Sequence, residues 1–335
     1  MRRIWIDPFF LVGFLFIAGI ITFSIYHQYG MDNVIPEEQI RYDEDGVLLD
    51  KAPFKPSAEN WFGTDQFGQD LFYILLSGAK YTLSLAILIG LLRLMISLAG
   101  GILLSFLRPE ISRFITGITQ SFYYLPVVLV VFFLELPIVE SPVYTFWEKV
   151  IFQITIMVAV AVPSTSVLIK EEINIVLREE FVTNAKIMGG SKWHIFFQHV
   201  LPQLRGKVLL LFMQQTIAAL TLLAHLGILA IFIGGTFSKV FVFDLDFPEE
   251  IPTSLSFEWS GLLGSFYAQL PYAPHLVVFP VLLFGLSILA MNFMIEGLIR
   301  SFNDKRRITK TVKKKTPQHS VEEASYSFLF LKKTG

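Results

Sequence analysis

The sequence predicts an all-α, polytopic membrane protein, and three observations predict it. Of 335 residues, 53% are hydrophobic and 16% charged, with a mean hydropathy of +0.59. Soluble domains run nearer ~45–50% apolar and ~25% charged. The apolar residues gather into about six stretches close to the ~20 residues that one spanning helix needs. The charges are segregated along the chain, although they sum to a formal -1. The 33 phenylalanines suit lipid-facing helices and membrane interfaces. With no cysteine, disulfides, thiolate metal sites and Cys nucleophiles are excluded.

The first stretch runs from Phe9 to about Tyr26, behind Arg2 and Arg3. It is long for a signal peptide, and no small-x-small site follows at Ser24-Ile25-Tyr26-His27, so it reads as an uncleaved anchor. The second runs from about Tyr81 to Leu107 and holds one charge, Arg93. The third, Phe114 to Val139, contains Pro126, and the fourth, Val150 to Ile169, contains Pro163. Both prolines read as kinks, because neighbouring helices satisfy the backbone groups that proline frees. The fifth runs from Val208 to Ile233 and the sixth from Leu276 to Ile299. Three regions result: an anchor and acidic outer loop (1–80), a core (81–300) with an inner loop at 170–207, and a basic tail (301–335).

Basic residues mark the inner side. With the N-terminus inside and helices alternating, most of the 27 Lys and Arg fall inside, among them Arg108, Arg113, Lys170, Lys186, Arg205 and the tail cluster Lys313-Lys314-Lys315. The outer loops carry the acids, from Asp32 to Asp70 and from Asp244 to Glu258. Both termini are then expected inside. The tail, with its apolar patch Phe328-Leu329-Phe330-Leu331, is expected to be a solvated end brushing anionic lipid; a specific partner site is the other reading.

The inner loop holds about 38 residues, far more than the ~2–8 of an ordinary helix connection. Glu172 to Met188 reads as helix, Gly189-Gly190-Ser191 as a break with Gly189 as C-terminal cap and Ser191 as N-cap, and Trp193, Phe196, Phe197 and Val200 as the apolar face of a second short helix that Pro202 ends. Together they make a compact knob. Its bland reading is an amphipathic elbow in the headgroup layer.

Here the chain resembles a family. The segment Phe181 to Pro202 is similar to the EAA loop of ABC importer inner-membrane subunits, specifically the peptide/opine/nickel permeases of the dipeptide and oligopeptide C type. Phe181, Val182, Ala185, Gly189, Ser191, Trp193, His199, Leu201 and Pro202 match in register, while Thr183 and Asn184 replace the family's Glu and first Ala. A second match, Gly63-Thr64-Asp65 followed by Gly68-Gln69-Asp70, resembles the family's Gly-Thr-Asp-x-x-Gly-Arg-Asp, with Gln69 for Arg. Asp7-Pro8, the segment Asn292 to Arg300 and, faintly, Glu258-Trp259-Ser260-Gly261 also fit.

The resemblance implies a type I ABC importer permease fold and a transport subunit for peptides, ahead of nickel chelates. It implies a second homologous permease, two cytoplasmic ATPase subunits and an extracellular substrate-binding protein as partners. The knob would be a coupling helix on the ATPase, with Thr183, Asn184, Ala185, Gly189, Gly190, Ser191, Trp193, Leu201 and Pro202 as contact residues. Gly63, Thr64, Asp65, Gly68 and Asp70 would form a structural motif. The acidic outer loop, with Asp43, Glu44 and Asp45, would orient the binding protein.

Arg93 reads independently as a pathway residue or an interhelical bond, with Glu135 and Glu296 as candidate counter-ions, because an ionisable group at membrane depth needs a cavity or a partner. The sequence holds no phosphate-binding Gly-x-x-x-x-Gly-Lys loop, no His-Glu-x-x-His and no nucleic-acid motif, so no catalytic residue, metal or cofactor is assigned to this chain. ATP and Mg²⁺ are expected on the partner ATPase. A secondary transporter would need intramembrane acids and repeated halves, which are not apparent. A degenerate permease serving as a membrane scaffold remains the alternative, to be separated by the genes that neighbour this one.

Overall fold

A computed structural model describes residues 7–314, apart from 44, 46, 123, 245, 246 and 255; the side chains of 238–252 and 303–314 are not described. The tail patch at 328–331 and Arg2-Arg3 lie outside the described residues.

Helix α1 (Pro8–Gly30) starts where the Asp7 carboxylate accepts the Phe9 and Phe10 N–H groups, with Pro8 at the first turn. A loop then carries a small antiparallel hairpin, β1 (Ile40–Tyr42) and β2 (Leu48–Lys51). Helix α2 (Leu71–Phe106) begins ten residues before the apolar stretch and runs unbroken through residue 80, where the sequence suggested a boundary. The third stretch is two helices, α3 (Pro109–Phe122) and α4 (Val127–Val139), bent by 83°. Pro126 is not a kink within one helix, as expected from sequence, but the N-cap of the second. Helix α5 (Phe146–Leu177) continues through Pro163, and that proline does sit inside the helix.

The inner loop folds into α6 (Glu180–Ile187), α7 (Lys192–Ile195) and a π-helical turn, Phe196–Val200, that passes directly into α8 (Leu201–Ile228). Beyond α8 come a hairpin, β3 (Thr236–Asp244) and β4 (Phe247–Ser254), then α9 (Trp259–Tyr267) and α10 (His275–Lys314). Among the described residues, five helical segments are long and apolar enough to cross a membrane, or six if the bent α3–α4 pair counts as one span.

Small residues let the spans approach closely, as they must where lipid gives no hydrophobic gain on association. A Cβ on Gly13 of α1 would strike the Ala290 carbonyl of α10, and one on Gly90 of α2 would lie 2.9 Å from the Thr216 nitrogen of α8. The core runs along α2, α8, α9 and α10, with Leu71, Leu75, Leu83, Leu223 and Leu263 almost wholly enclosed. Trp259 locks α9 into it: the backbone N–H donates to Thr82 Oγ1 at 2.9 Å and the indole N–H to the Leu75 carbonyl at 2.8 Å. Helix α2 thus spans from the hairpin end of the molecule to the knob end, where Phe106 stacks on Trp193 at 4.8 Å.

Candidate functional site

At the hairpin end, the Gly-Thr-Asp motif is a backbone clasp. Asp65 Oδ1 accepts the N–H groups of Phe67 at 2.9 Å and Gln69 at 2.8 Å. Thr64 Oγ1 accepts the Phe54 N–H at 2.9 Å, and the Leu71 N–H reaches the Gly63 carbonyl at 3.0 Å. Gly68 has φ +81° and lies so close to the Glu38 carbonyl that no Cβ fits. Asp70 then caps α2 through the Phe72 N–H at 2.8 Å. Burial raises the Asp70 carboxyl pKa against the backbone bonds that lower it. All five motif residues bond or pack against nearby chain.

A second clasp holds the elbow before β3. Gln153 donates to the Phe232 carbonyl at 3.0 Å and accepts the Gly234 N–H at 2.8 Å. Glu258 accepts the Ile233 N–H at 3.2 Å and the hydroxyls of Ser254 and Ser256. Complete burial raises the Glu258 carboxyl pKa, more than these bonds lower it. Sequence reasoning passed over Gln153, a lone polar residue in an apolar run.

At the knob end the caps fall where the sequence put them. Gly189 has φ +85° just past α6, and Ser191 Oγ accepts the His194 N–H at 3.3 Å. Two expectations change. The helix expected over 172–188 breaks at Arg178-Glu179, where bonds to the Ile175 and Val176 carbonyls tighten the last turn of α5. Pro202 does not end a helix: it sits in the first turn of α8, and the chain stays helical from Lys192 to Ile228. The wider π turn just before it gives room for the ring and for the missing N–H.

The knob has its own small core, Val182, Ala185 and Ile195. The Gly190 N–H closes onto the Ala185 carbonyl at 3.1 Å, and a Cβ on Gly190 would lie 2.9 Å from that same oxygen. Thr183, Asn184, Gly189, Ser191, Trp193 and Pro202 are exposed, while Leu201 and Gly190 are half-buried. Trp193 lies between Phe106 and Phe197, 58% exposed. The tip also bears Ile187 and Met188, 79% and 83% exposed. Neither stood out in sequence, where both continue the apolar pattern of α6.

Between the two ends, a cavity of about 680 Å³ opens among α2, α3, α4, α5 and α8. Its wall includes Arg93, Thr119 and Gln120 of α3, Ser164 of α5, and Gln214, Gln215, Thr221 and His225 of α8. The break between α3 and α4 lies beside it, since Val127 also lines the wall. Non-helical backbone at membrane depth is tolerated where it borders such a cavity. Polar residues at 214, 221 and 225 share one face of α8 by helical spacing, a stripe legible in the sequence. Arg93, 2% exposed, donates Nε and Nη2 to the Met157 carbonyl at 3.0 and 2.8 Å. Neither proposed counter-ion serves it: Glu135 meets Gln153 at 3.5 Å, and Glu296 pairs with Arg300 at 2.7 Å. Among the described residues no group of His, Asp or Glu is arranged to hold a metal.

Residues 96–308 match the family model of the binding-protein-dependent transport system inner membrane component. The chain is 23% identical over 286 residues to the glutathione transport system permease protein GsiD of Pectobacterium atrosepticum, covering 85% of this chain and 83% of that one. It is 24% identical over 244 residues to the protein of the same name from Shigella dysenteriae, covering 72% and 71%. Among solved structures, the MetNI methionine ABC transporter in an inward-facing conformation aligns at TM-score 0.51 and 16% identity, over 69% of this chain and 97% of that one; that likeness concerns the fold. The family match spans more than half of the chain, the apolar spans suit a membrane component, and this protein belongs to the inner-membrane components of binding-protein-dependent transport systems, as a multi-pass permease subunit of an ABC importer.

Proposed function

We propose that this chain forms one half of the cargo path of a peptide importer, and that its knob seats on a cytoplasmic ATPase subunit. The observation that carries this reading is continuity: the second half of the knob, which bears Trp193, and the cavity wall stand on one helix, Lys192 to Ile228. At ~1.5 Å per residue, Trp193 and Gln214 are about 30 Å apart on a single rod. A rigid-body push on the knob therefore reaches the cavity without passing through a flexible loop. The exposed apolar tip, Ile187, Met188 and Trp193, supplies the surface that such a push needs.

The other parts follow from the family. A second permease would close the open side of the cavity, and two ATPases would carry ATP and Mg²⁺. A binding protein would deliver cargo at the hairpin end, where acids such as Asp43 and Asp45 would orient it. The basic residues Arg113, Lys186 and Arg205 support a cytoplasmic knob end. Peptide cargo is supported by the relatives' name, since glutathione is a small peptide.

Gly189 gives the cleanest test. Its conformation is left-handed, and beyond its chain neighbours no described atom lies within 4 Å of an added Cβ, so there is open space for a side chain there. Gly189→Asp should reduce ATP-driven uptake by about a hundredfold with normal membrane insertion, because the charge is trapped at the contact. Gly189→Asn, which tolerates the same backbone, should stay within about threefold. ATP-driven uptake at the normal rate in the Asp variant would overturn the docking.

A further inference from the structure

The cavity wall is one-sided in charge. The ionisable side chains among its described lining residues are Arg93 and His225; no Asp or Glu contributes. The rest of the polar wall is neutral, with Gln120, Gln214 and Gln215 offering amide donors. Arg93 is held rather than free to swing. Its Nε and Nη2 are tied to the Met157 carbonyl of α5, and Nη1 has no hydrogen-bond partner among the described residues. His225 is fixed likewise through Nδ1, 2.6 Å from the Thr221 carbonyl, which leaves Nε2 unengaged by that contact.

A guanidinium at membrane depth carries a desolvation cost that a single carbonyl offsets only in part. A carboxylate would complete it, through the charge-assisted bond that guanidinium forms best. The volume is of the size that takes a small ligand, typically ~300–1,000 Å³.

We propose that this cavity selects cargo by a free carboxylate, with Arg93 as the contact group and the α8 glutamines as neutral donors beside it. The inference rests on the reading above that the cavity is half of the cargo path. It goes further in naming the charge of the cargo and the residue that reads it. Cationic cargo without a carboxylate is disfavoured, because the wall offers it no counter-charge.

Tri-alanine and tri-alanine amide differ only at the C-terminus and so test this. Uptake of each is measured in cells expressing the complete importer, with wild-type or variant permease and an unchanged binding protein. The binding protein's own preference then cancels in the comparison between permeases. Arg93→Gln should lower uptake of tri-alanine about tenfold while changing the amide less than about twofold. Arg93→Lys keeps the charge but alters the Met157 contact, and should retain most of the preference. Gln214→Glu, at an exposed wall position, leaves that contact alone and should also lower the acid relative to the amide.

Equal losses for both peptides in Gln and Lys variants, with no shift in Gln214→Glu, would overturn the proposal and leave Arg93 as a helix clamp. An unchanged ratio throughout would overturn it too. Uptake of neither peptide by wild type would instead strike the peptide reading. The cavity is then judged on the purified permease in detergent: propionate should raise the wild-type Tm where propionamide does not, and Arg93→Gln should abolish the difference. No such difference would overturn the proposal.

Discussion

The two ends of the molecule each carry a strong sequence motif, yet they use it in opposite ways. At the hairpin end, the polar atoms of Thr64, Asp65 and Asp70 are buried and bonded to nearby backbone. At the knob end, Thr183, Asn184, Gly189 and Trp193 face outward, and the core beneath them is three residues. Motif strength alone therefore does not separate a residue that holds the fold from one whose surface is left uncovered. The separation comes from asking where each polar group and each apolar surface finds its complement.

The largest effect should come from breaking the hairpin-end clasp. Asp65→Ala strands the N–H groups of Phe67 and Gln69 beside a residue that is 4% exposed. Both bonds are part-buried, so each unmet donor costs toward the low end of about 1–3 kcal/mol, and a loss of about 2 kcal/mol is expected. Thermal unfolding in detergent would show it as a clear drop in Tm. Variant protein that does insert should still couple transport to ATP hydrolysis normally.

Trp193→Ala should give the reverse pattern. The ring is mostly exposed, and its stacking neighbours Phe106 and Phe197 are held by other contacts, so Tm should move little. Uptake per inserted molecule should fall about tenfold, as for an aromatic anchor at a protein interface. A large Tm loss with unaltered coupling would make the knob a second structural clasp and erase the contrast.

Glu258 sharpens the comparison through pH. Its carboxyl is raised from the usual 4.5 by burial, so the folded state holds its proton more tightly than the unfolded state. That contribution is complete below the unfolded pKa and is lost as pH rises through the folded one. Tm should therefore decline as pH is raised from about 4.5. Glu258→Gln should flatten this part of the profile, whereas knob variants should leave its slope unchanged. A slope identical in Glu258→Gln would assign the pH dependence elsewhere.

Span positions and caps were legible because they are local. Hydropathy needs only a window, and Asp7, Asp70, Gly189 and Ser191 signal their caps within three or four residues. What was not legible depends on distance in the fold. The partner of Arg93 is a backbone carbonyl on α5, which carries no sequence signature. Ala185 faces inward because Ile195, ten positions on, folds over it. Pro202 looked like a stop because a π turn is invisible in composition. The α8 stripe is the exception: its polar spacing was in plain view, and the apolar character of the span hid it.

The smallest effect concerns the two places where the knob departs from its family. Thr183 and Asn184 are exposed, and Thr183 Oγ1 returns only to the Glu179 carbonyl at 3.4 Å. Within α6, Lys186 lies three residues on, so a Glu at 183 could gain a surface ion pair of about 0.2–0.5 kcal/mol. Thr183→Glu should thus change stability by less than about 0.5 kcal/mol, as expected for a surface site without a buried partner. Any larger effect must come from across the contact. If the partner ATPase has kept a basic residue there, uptake should rise up to about threefold, the scale of one exposed ion pair. If it has changed in step with Thr183, the new charge meets no partner and uptake should fall by a similar factor. Measuring Tm and uptake on the same preparation separates these outcomes. A Tm shift of several degrees would show instead that position 183 belongs with Asp65, to the part of the molecule that holds itself together.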